Sequence, residues 1–209
     1  YLKRLDNVRI SGNPAREGVG KISRPAGAAY FGISPGKPTL LVFGGSLGAS
    51  SINRAVHKLL PRLVAIGIQV VWQTGESDYD QMRAESDRMV EISGGTIALH
   101  RFIERMEHAY AACDLAVCRA GATTVAELAK AGVASILVPY PHAAADHQTE
   151  NAKTMVESGA AVMIRDAELG EKLLTTIETL FASPAQLQVM RTNALGVGNP
   201  EATGALARA

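Results

Sequence analysis

The sequence predicts an α/β protein built on a doubly wound, Rossmann-like parallel sheet. Two observations carry that expectation. Six short apolar runs alternate with amphipathic helical patterns from residue 39 onward. Turns of small residues join several of those runs directly to the helix that follows. Strands alternating with helices build βαβ units, and right-handed crossovers wind them into an open parallel sheet. Ligands of such sheets sit at the carboxyl ends of the strands.

The elements follow in order. Residues 1–37 read as irregular, with turn formers at Ser11-Gly12-Asn13-Pro14 and Ser34-Pro35-Gly36. The predicted strands are 39–43, 68–72, 96–100, 115–118, 135–138 and 161–164. Each is a short, nearly continuous apolar run, the pattern of a strand covered on both faces. Helical periodicity fills the intervals at 50–65, 78–90, 104–112, 124–131 and 147–157. It continues over 169–181, with more after Pro184. The fifth helix stops at Gly132, a residue suited to a helix end. There is no internal repeat and no low-complexity tract.

Bulk properties narrow the function. The chain has 209 residues, 47% of them hydrophobic, enough for one large domain or a domain with extra pieces. A net charge of +1, from 21 basic and 20 acidic residues, with no basic run, argues against nucleic acid as a partner. No apolar run approaches the roughly 20 residues that span a bilayer. Cys113 and Cys118 do not form a Cys-x-x-Cys pair, so a reducing, cytoplasmic setting is expected. The chain opens on Tyr1 rather than Met, as a piece of a longer protein would.

Three strand-to-helix turns carry the chemistry. Residues 114–132 run from an apolar strand through Arg119-Ala120-Gly121-Ala122 into an alanine-rich helix starting at Thr123 or Thr124. The free N–H groups and positive dipole end of that helix suit an anion. Glu127 has two readings. It could meet a polar part of the same ligand, or close a capping box with Thr124. The earlier turn Gly44-Gly45-Ser46-Leu47-Gly48-Ala49 also opens a helix. It fits phosphate binding best. A dinucleotide fingerprint fails, because Gly-x-Gly-x-x-Gly is unmatched and no acidic residue ends the second strand. Gly44 to Gly48 does fit Gly-x-Ser-x-Gly, with Asp114 and His142 or His147 as partners, but an α/β-hydrolase needs several strands before its elbow. The third turn leads from Pro139 through His142 and Asp146 to His147 and Gln148. His147 and Gln148 would face the cleft if they begin the next helix. No helical pair of ligands supports a metal there.

Three motifs together resemble one family. Gly-Gly-Ser-x-Gly-Ala, Cys-Arg-x-Gly-Ala-x-Thr-x-x-Glu, and Pro-x-x-His followed by Asp-His-Gln-Thr-x-Asn-Ala are similar to those of the MurG family of peptidoglycan N-acetylglucosaminyltransferases. Gly12-Asn13-Pro14-Ala15-Arg16 matches the family's Gly-Asn-Pro-Val-Arg stretch except at Ala15. The resemblance covers nearly the whole chain. It implies a GT-B glycosyltransferase that moves N-acetylglucosamine from UDP-GlcNAc to lipid I, giving lipid II, at the cytoplasmic face of the membrane. Neither metal nor cofactor is implied.

The resemblance also assigns residues. Gly45, Ser46 and Gly48 would bind the diphosphate, and Ile103 would present backbone groups to uracil. Ala122, Thr123 and Thr124 would offer N–H groups to phosphate or sugar. Glu127 would hold the ribose, Gln148 with His147 the GlcNAc hydroxyls, and Arg16 would approach from the linker. Residues 1–37 would be the tail of an N-terminal domain plus linker, and 38–209 the donor-binding domain. The family's N-terminal domain, which carries a candidate base and most of the acceptor surface, is not in this sequence. The expectation is therefore a donor-binding half that does not transfer sugar alone. Another GT-B UDP-sugar transferase, an epimerase, or a non-catalytic nucleotide-sugar-binding module are the alternatives.

Overall fold

The computed structural model describes residues 13–45, 48–93, 96–143 and 146–197. Six strands form one fully parallel sheet: β1 (Thr39–Phe43), β2 (Gln69–Gln73), β3 (Ile97–His100), β4 (Leu115–Cys118), β5 (Ala134–Leu137) and β6 (Ala161–Met163). Their order across the sheet is β3-β2-β1-β4-β5-β6. Chain direction across the sheet reverses between β1 and β4, where Leu40 to Phe43 pair with Leu115 to Cys118. That reversal opens a crevice at the carboxyl ends of these two strands.

The helices are α1 (Arg24–Tyr30), α2 (Ser50–Ala65), α3 (Tyr79–Ser93), α4 (Met106–Ala112), α5 (Ala122–Ala131), α6 (His147–Glu157), α7 (Leu169–Phe181) and α8 (Pro184–Val197). Alternation along β1 divides the core into two layers. Leu41 and Phe43 join Val19, Phe31, Tyr110, Leu128 and Met155 on one face. Leu40 and Val42 join Ile52, Leu60, Trp72, Leu173 and Ile177 on the other. Both faces are covered, which is why these strands read as unbroken apolar runs. Each fully buried leucine contributes roughly 2 kcal/mol of transfer free energy to holding the sheet in place.

Three differences from the sequence expectation have physical causes. First, residues 13–37 are not wholly irregular, because α1 lies within them. Ser23 caps it, accepting a hydrogen bond from the Ala26 N–H at 3.4 Å, and Pro25 sits in its first turn. A Cβ on Gly27 would lie 2.5 Å from the His108 carbonyl oxygen, so glycine lets α1 approach α4. Arg24 then fastens α1 to the sheet, donating to both carboxylate oxygens of Asp114 at 2.6 and 2.8 Å. Second, β2 extends to Gln73 rather than ending at Trp72. The polar ends of this strand are buried because their amides are satisfied. Gln69 exchanges two 2.8 Å hydrogen bonds with the Ser34 backbone. Third, α5 begins at Ala122, capped by Gly121, earlier than Thr123 or Thr124. It ends at Gly132 with φ +63°, as its glycine implied.

Cys113 and Cys118 are free and buried. Burial, with Asp114 nearby, pushes the Cys113 thiol from 9.0 to about 12, and burial raises Cys118 as well. An unfolded thiol ionises from about pH 9, so the raised folded values keep this stabilisation below pH 9 and lose it as pH rises toward 12. Urea unfolding is expected to show stability falling by about 1.4 kcal/mol per thiol per pH unit above 9. Neither thiol should react with a thiol reagent until the chain unfolds.

Candidate functional site

The two strands flanking the crevice end in the two turns that stood out in the sequence. Phe43 and Cys118 are register partners, so the Gly44 and Arg119 turns start side by side. Each leads into a helix whose first turn has no side-chain cap: α2 after Ala49, and α5 after Gly121. The first intrahelical bonds are Asn53 N to Ala49 O and Val125 N to Gly121 O, both 2.9 Å. The N–H groups ahead of them, those of Ala122, Thr123 and Thr124 on α5, are the donors that a helix N-terminus leaves outside its own hydrogen-bond ladder. Two positive dipole ends therefore meet at one crevice.

Close packing shapes the first turn. A Cβ on Gly44 would sit 2.3 Å from Ala49 N, and one on Gly48 would sit 2.1 Å from Thr74 O. Gly45 and Gly48 adopt φ +90° and +80°. Ser46 lies outside the described residues, as does Gly12 of the linker motif. Asn53, buried in the first turns of α2, locks that helix to the end of β2. It donates to Thr74 O at 2.8 Å and to Asp78 at 2.7 Å, and accepts from the Trp72 indole at 3.0 Å.

Gln73 joins this turn to the loop after β3. Its Nε2 donates to Gly45 O at 2.8 Å, and its Oε1 accepts from the Ile103 N–H at 2.7 Å. The Ile103 amide is thus engaged within the protein.

Glu127 is the sixth residue of α5 and only 3% exposed. The earlier start of α5 removes the capping box with Thr124, since N3 is Thr124 itself. The carboxylate meets two other elements instead. Tyr110 of α4 donates its hydroxyl to Oε2 at 3.0 Å. Arg16 approaches Oε1 with its Nε at 3.3 Å and its backbone N–H at 3.5 Å. Lys130 holds the same linker segment, donating to Arg16 O at 2.9 Å. Burial and the adjacent Glu127 charge push the Tyr110 phenol well above its ordinary range, so it remains a donor.

The structure thus brings Arg16 to Glu127, and Gly45 to Ile103 through Gln73. Gln148 stands one residue into α6, its Oε1 accepting from Tyr140 N at 3.0 Å. His147, at the start of α6, is exposed. Asp146 precedes it at φ +52°, with its carboxylate accepting from Thr149 Oγ1 at 2.6 Å. Among the described residues, no three His, Cys, Asp or Glu side chains gather to hold a metal ion.

Sequence reading missed Arg119 as a structural clasp. Its guanidinium donates to Asp166 at 2.5 Å, Ser51 at 2.8 Å, and the Val138 and Pro139 carbonyls at 3.3 and 3.2 Å. Asn151 of α6 supports the same turn, donating to Ala120 O at 3.0 Å. Tyr110 and Gln73 were missed too, because their partners lie far along the chain.

Comparison with known proteins agrees with this geometry. An N-acetylglucosamine transferase of Chlorobaculum tepidum, named for UDP-N-acetylglucosamine and N-acetylmuramyl-(pentapeptide) pyrophosphoryl-undecaprenol, is 44% identical over 201 residues. That match covers 96% of this chain and 53% of the relative, so the chain spans about half the relative's length. The crystal structure of Acinetobacter baumannii MurG superimposes with a TM-score of 0.75 at 30% identity, covering 97% of this chain and 57% of that one. The C-terminal domain of a group 1 glycosyl transferase from Francisella tularensis shares the fold, with a TM-score of 0.55 at 16% identity, covering 84% of this chain and 90% of that one. The sheet is therefore that of the C-terminal half of GT-B glycosyltransferases. Residues 39–205, which include both turns and Glu127, match the model of the glycosyltransferase family 28 C-terminal domain, and the chain belongs to that family.

Proposed function

We propose that this chain holds the donor UDP-GlcNAc for transfer of N-acetylglucosamine to lipid I in peptidoglycan synthesis. The observation that carries this reading is the pair of uncapped helix starts, α2 and α5, beside one crevice with a buried carboxylate. The diphosphate would lie over the Gly45–Gly48 turn, including Ser46, and against the N–H groups of Ala122, Thr123 and Thr124. Glu127 would accept hydrogen bonds from the ribose hydroxyls, with Arg16 approaching from the linker. Ile103, its amide already held by Gln73, would offer its carbonyl to uracil. Gln148 would exchange the Tyr140 N–H for the GlcNAc hydroxyls, with His147 beside it.

Transfer breaks the bond between the sugar's anomeric carbon and the β-phosphate oxygen. The departing UDP gains negative charge where two helix dipoles and their free N–H groups converge, which lowers the barrier without a metal. The attacking acceptor hydroxyl passes its proton to a base within about 3 Å. That base, and most of the surface for the lipid acceptor, would come from an N-terminal domain joined through residues 1–37. The whole enzyme would work at the cytoplasmic face of the membrane, bound peripherally. No described helix is long and apolar enough to cross one.

Calorimetry with UDP-GlcNAc tests the donor site. The chain should bind, and Glu127→Ala should weaken binding on the order of a hundredfold, because charge-assisted hydrogen bonds to two hydroxyls are lost. No binding by the unsubstituted chain would remove the donor-site reading. A transfer assay on lipid I should show product only when an N-terminal domain is supplied. Product from this chain alone would contradict the division of labour.

A further inference from the structure

We infer that Tyr110 is a positioning residue for donor recognition: its hydroxyl fixes the Glu127 carboxylate so that Oε1 is presented to the ribose. The inference rests on the donor-site reading above. Three observations support it. Tyr110 and Glu127 are 2% and 3% exposed, so their 3.0 Å hydrogen bond is shielded from competing water. The ring cannot swing away, because it is embedded in the core with Phe43 packed edge-on at 6.0 Å. The bond also divides the labour of the carboxylate. Oε2 is committed to Tyr110, while Oε1 faces the more exposed guanidinium of Arg16 at 3.3 Å. A glutamate held only by its own torsions would rotate about its terminal bond, since that rotor is soft.

The phenol is suited to the role. Its ionisation is pushed well above the ordinary tyrosine range by burial and by the Glu127 charge. The hydroxyl therefore stays protonated, and so a donor, beyond the range in which an ordinary tyrosine ionises. A hydroxyl anchored on α4 and a carboxylate on α5 also couple two helices across the base of the site, so ribose recognition depends on their relative placement.

Tyr110→Phe removes the donor and leaves the ring. Binding of UDP and of 2′,3′-dideoxy-UDP to the full chain separates positioning from support. The unsubstituted chain should prefer UDP. Tyr110→Phe should weaken UDP about tenfold, the worth of one hydrogen bond to a charged group, and change the dideoxy nucleotide by less than twofold. The preference for the ribose hydroxyls would then shrink while the diphosphate and base contacts persist. Equal loss for both nucleotides, no loss for either, or failure of Tyr110→Phe to fold overturns the positioning role but leaves the donor site intact. Failure of the unsubstituted chain to bind either nucleotide overturns both.

Discussion

Replacing Gly48 by alanine should destabilise the chain by about 3 kcal/mol or more and abolish detectable UDP-GlcNAc binding. Two costs combine. At φ +80° an L-residue pays about 1–2 kcal/mol for its backbone conformation alone. The new methyl would also lie 2.1 Å from the carbonyl oxygen of Thr74, a backbone atom at the end of β2. That carbonyl cannot retreat cheaply, because the buried Asn53 amide is bonded to it at 2.8 Å. The strain must be relieved by moving the turn, and with it the start of α2. Gly45→Ala is the internal control. Gly45 has φ +90° but nothing within 4 Å of its added Cβ, so only the conformational cost applies, roughly 1 kcal/mol. Urea unfolding of the two variants, with calorimetry on each, checks the argument. Equal destabilisation of both would mean that the Thr74 contact does not restrict the turn.

Much of this architecture was readable because buried parallel strands write themselves plainly. The runs at 39–43 and 115–118 match β1 and β4 residue for residue, and the helices at 50–65, 147–157 and 169–181 match α2, α6 and α7. The misses follow a rule. Helix α1 has only seven residues and carries Gly27, whose value lies in closeness to His108, far along the chain. Its Ser23 cap and Pro25 were the local signals available. Gln73 lay hidden for a related reason. A polar residue at a strand end looks like an exit from the core until its two partners, Gly45 and Ile103, are known.

Site residues divide in the same way. The turn glycines stood out because a small-residue turn between strand and helix has few other uses, although α5 starts at Ala122, earlier than the sequence suggested. Glu127 was ambiguous in sequence, since Thr-x-x-Glu suits both a cap and a ligand. The start of α5 at Ala122 carries Glu127 past the first turn and so removes the capping box, and the carboxylate is buried against Tyr110. Burying a carboxylate is costly unless it is paired and hydrogen-bonded. At Glu127, Tyr110 and Arg16 supply both, and Arg16 does so from the linker. The proposed ribose contact and the placement of the linker therefore converge on one carboxylate.

The second large effect is expected at Arg119. Its side chain is 11% exposed and bridges four segments: the ends of β4 and β5, the first turn of α2 through Ser51, and Asp166 before α7. Ser51 closes the circuit by donating to Asp166 at 2.7 Å. The guanidinium also lies 5.4 Å over the Tyr140 ring, steadying the loop whose Tyr140 N–H holds Gln148. Arg119→Met keeps the length of the side chain but leaves the Asp166 carboxylate without its counter-ion and removes the donor to two carbonyls. Breaking a largely buried pair from one side costs about 3 kcal/mol, which for a chain of this size is roughly 6–12 °C in melting temperature. Arg119→Lys should recover less than half of the loss, because one ammonium cannot reproduce the planar fork that reaches Ser51 and the carbonyls together. Donor affinity should fall with stability in both variants, since the two turns proposed to hold the diphosphate are aligned by this side chain. Thermal and urea unfolding of the Met and Lys variants, alongside Asp166→Asn and the double variant, would measure the coupling. Additive losses for Arg119 and Asp166, or lysine performing as well as arginine, would show that the clasp does not hold these loops.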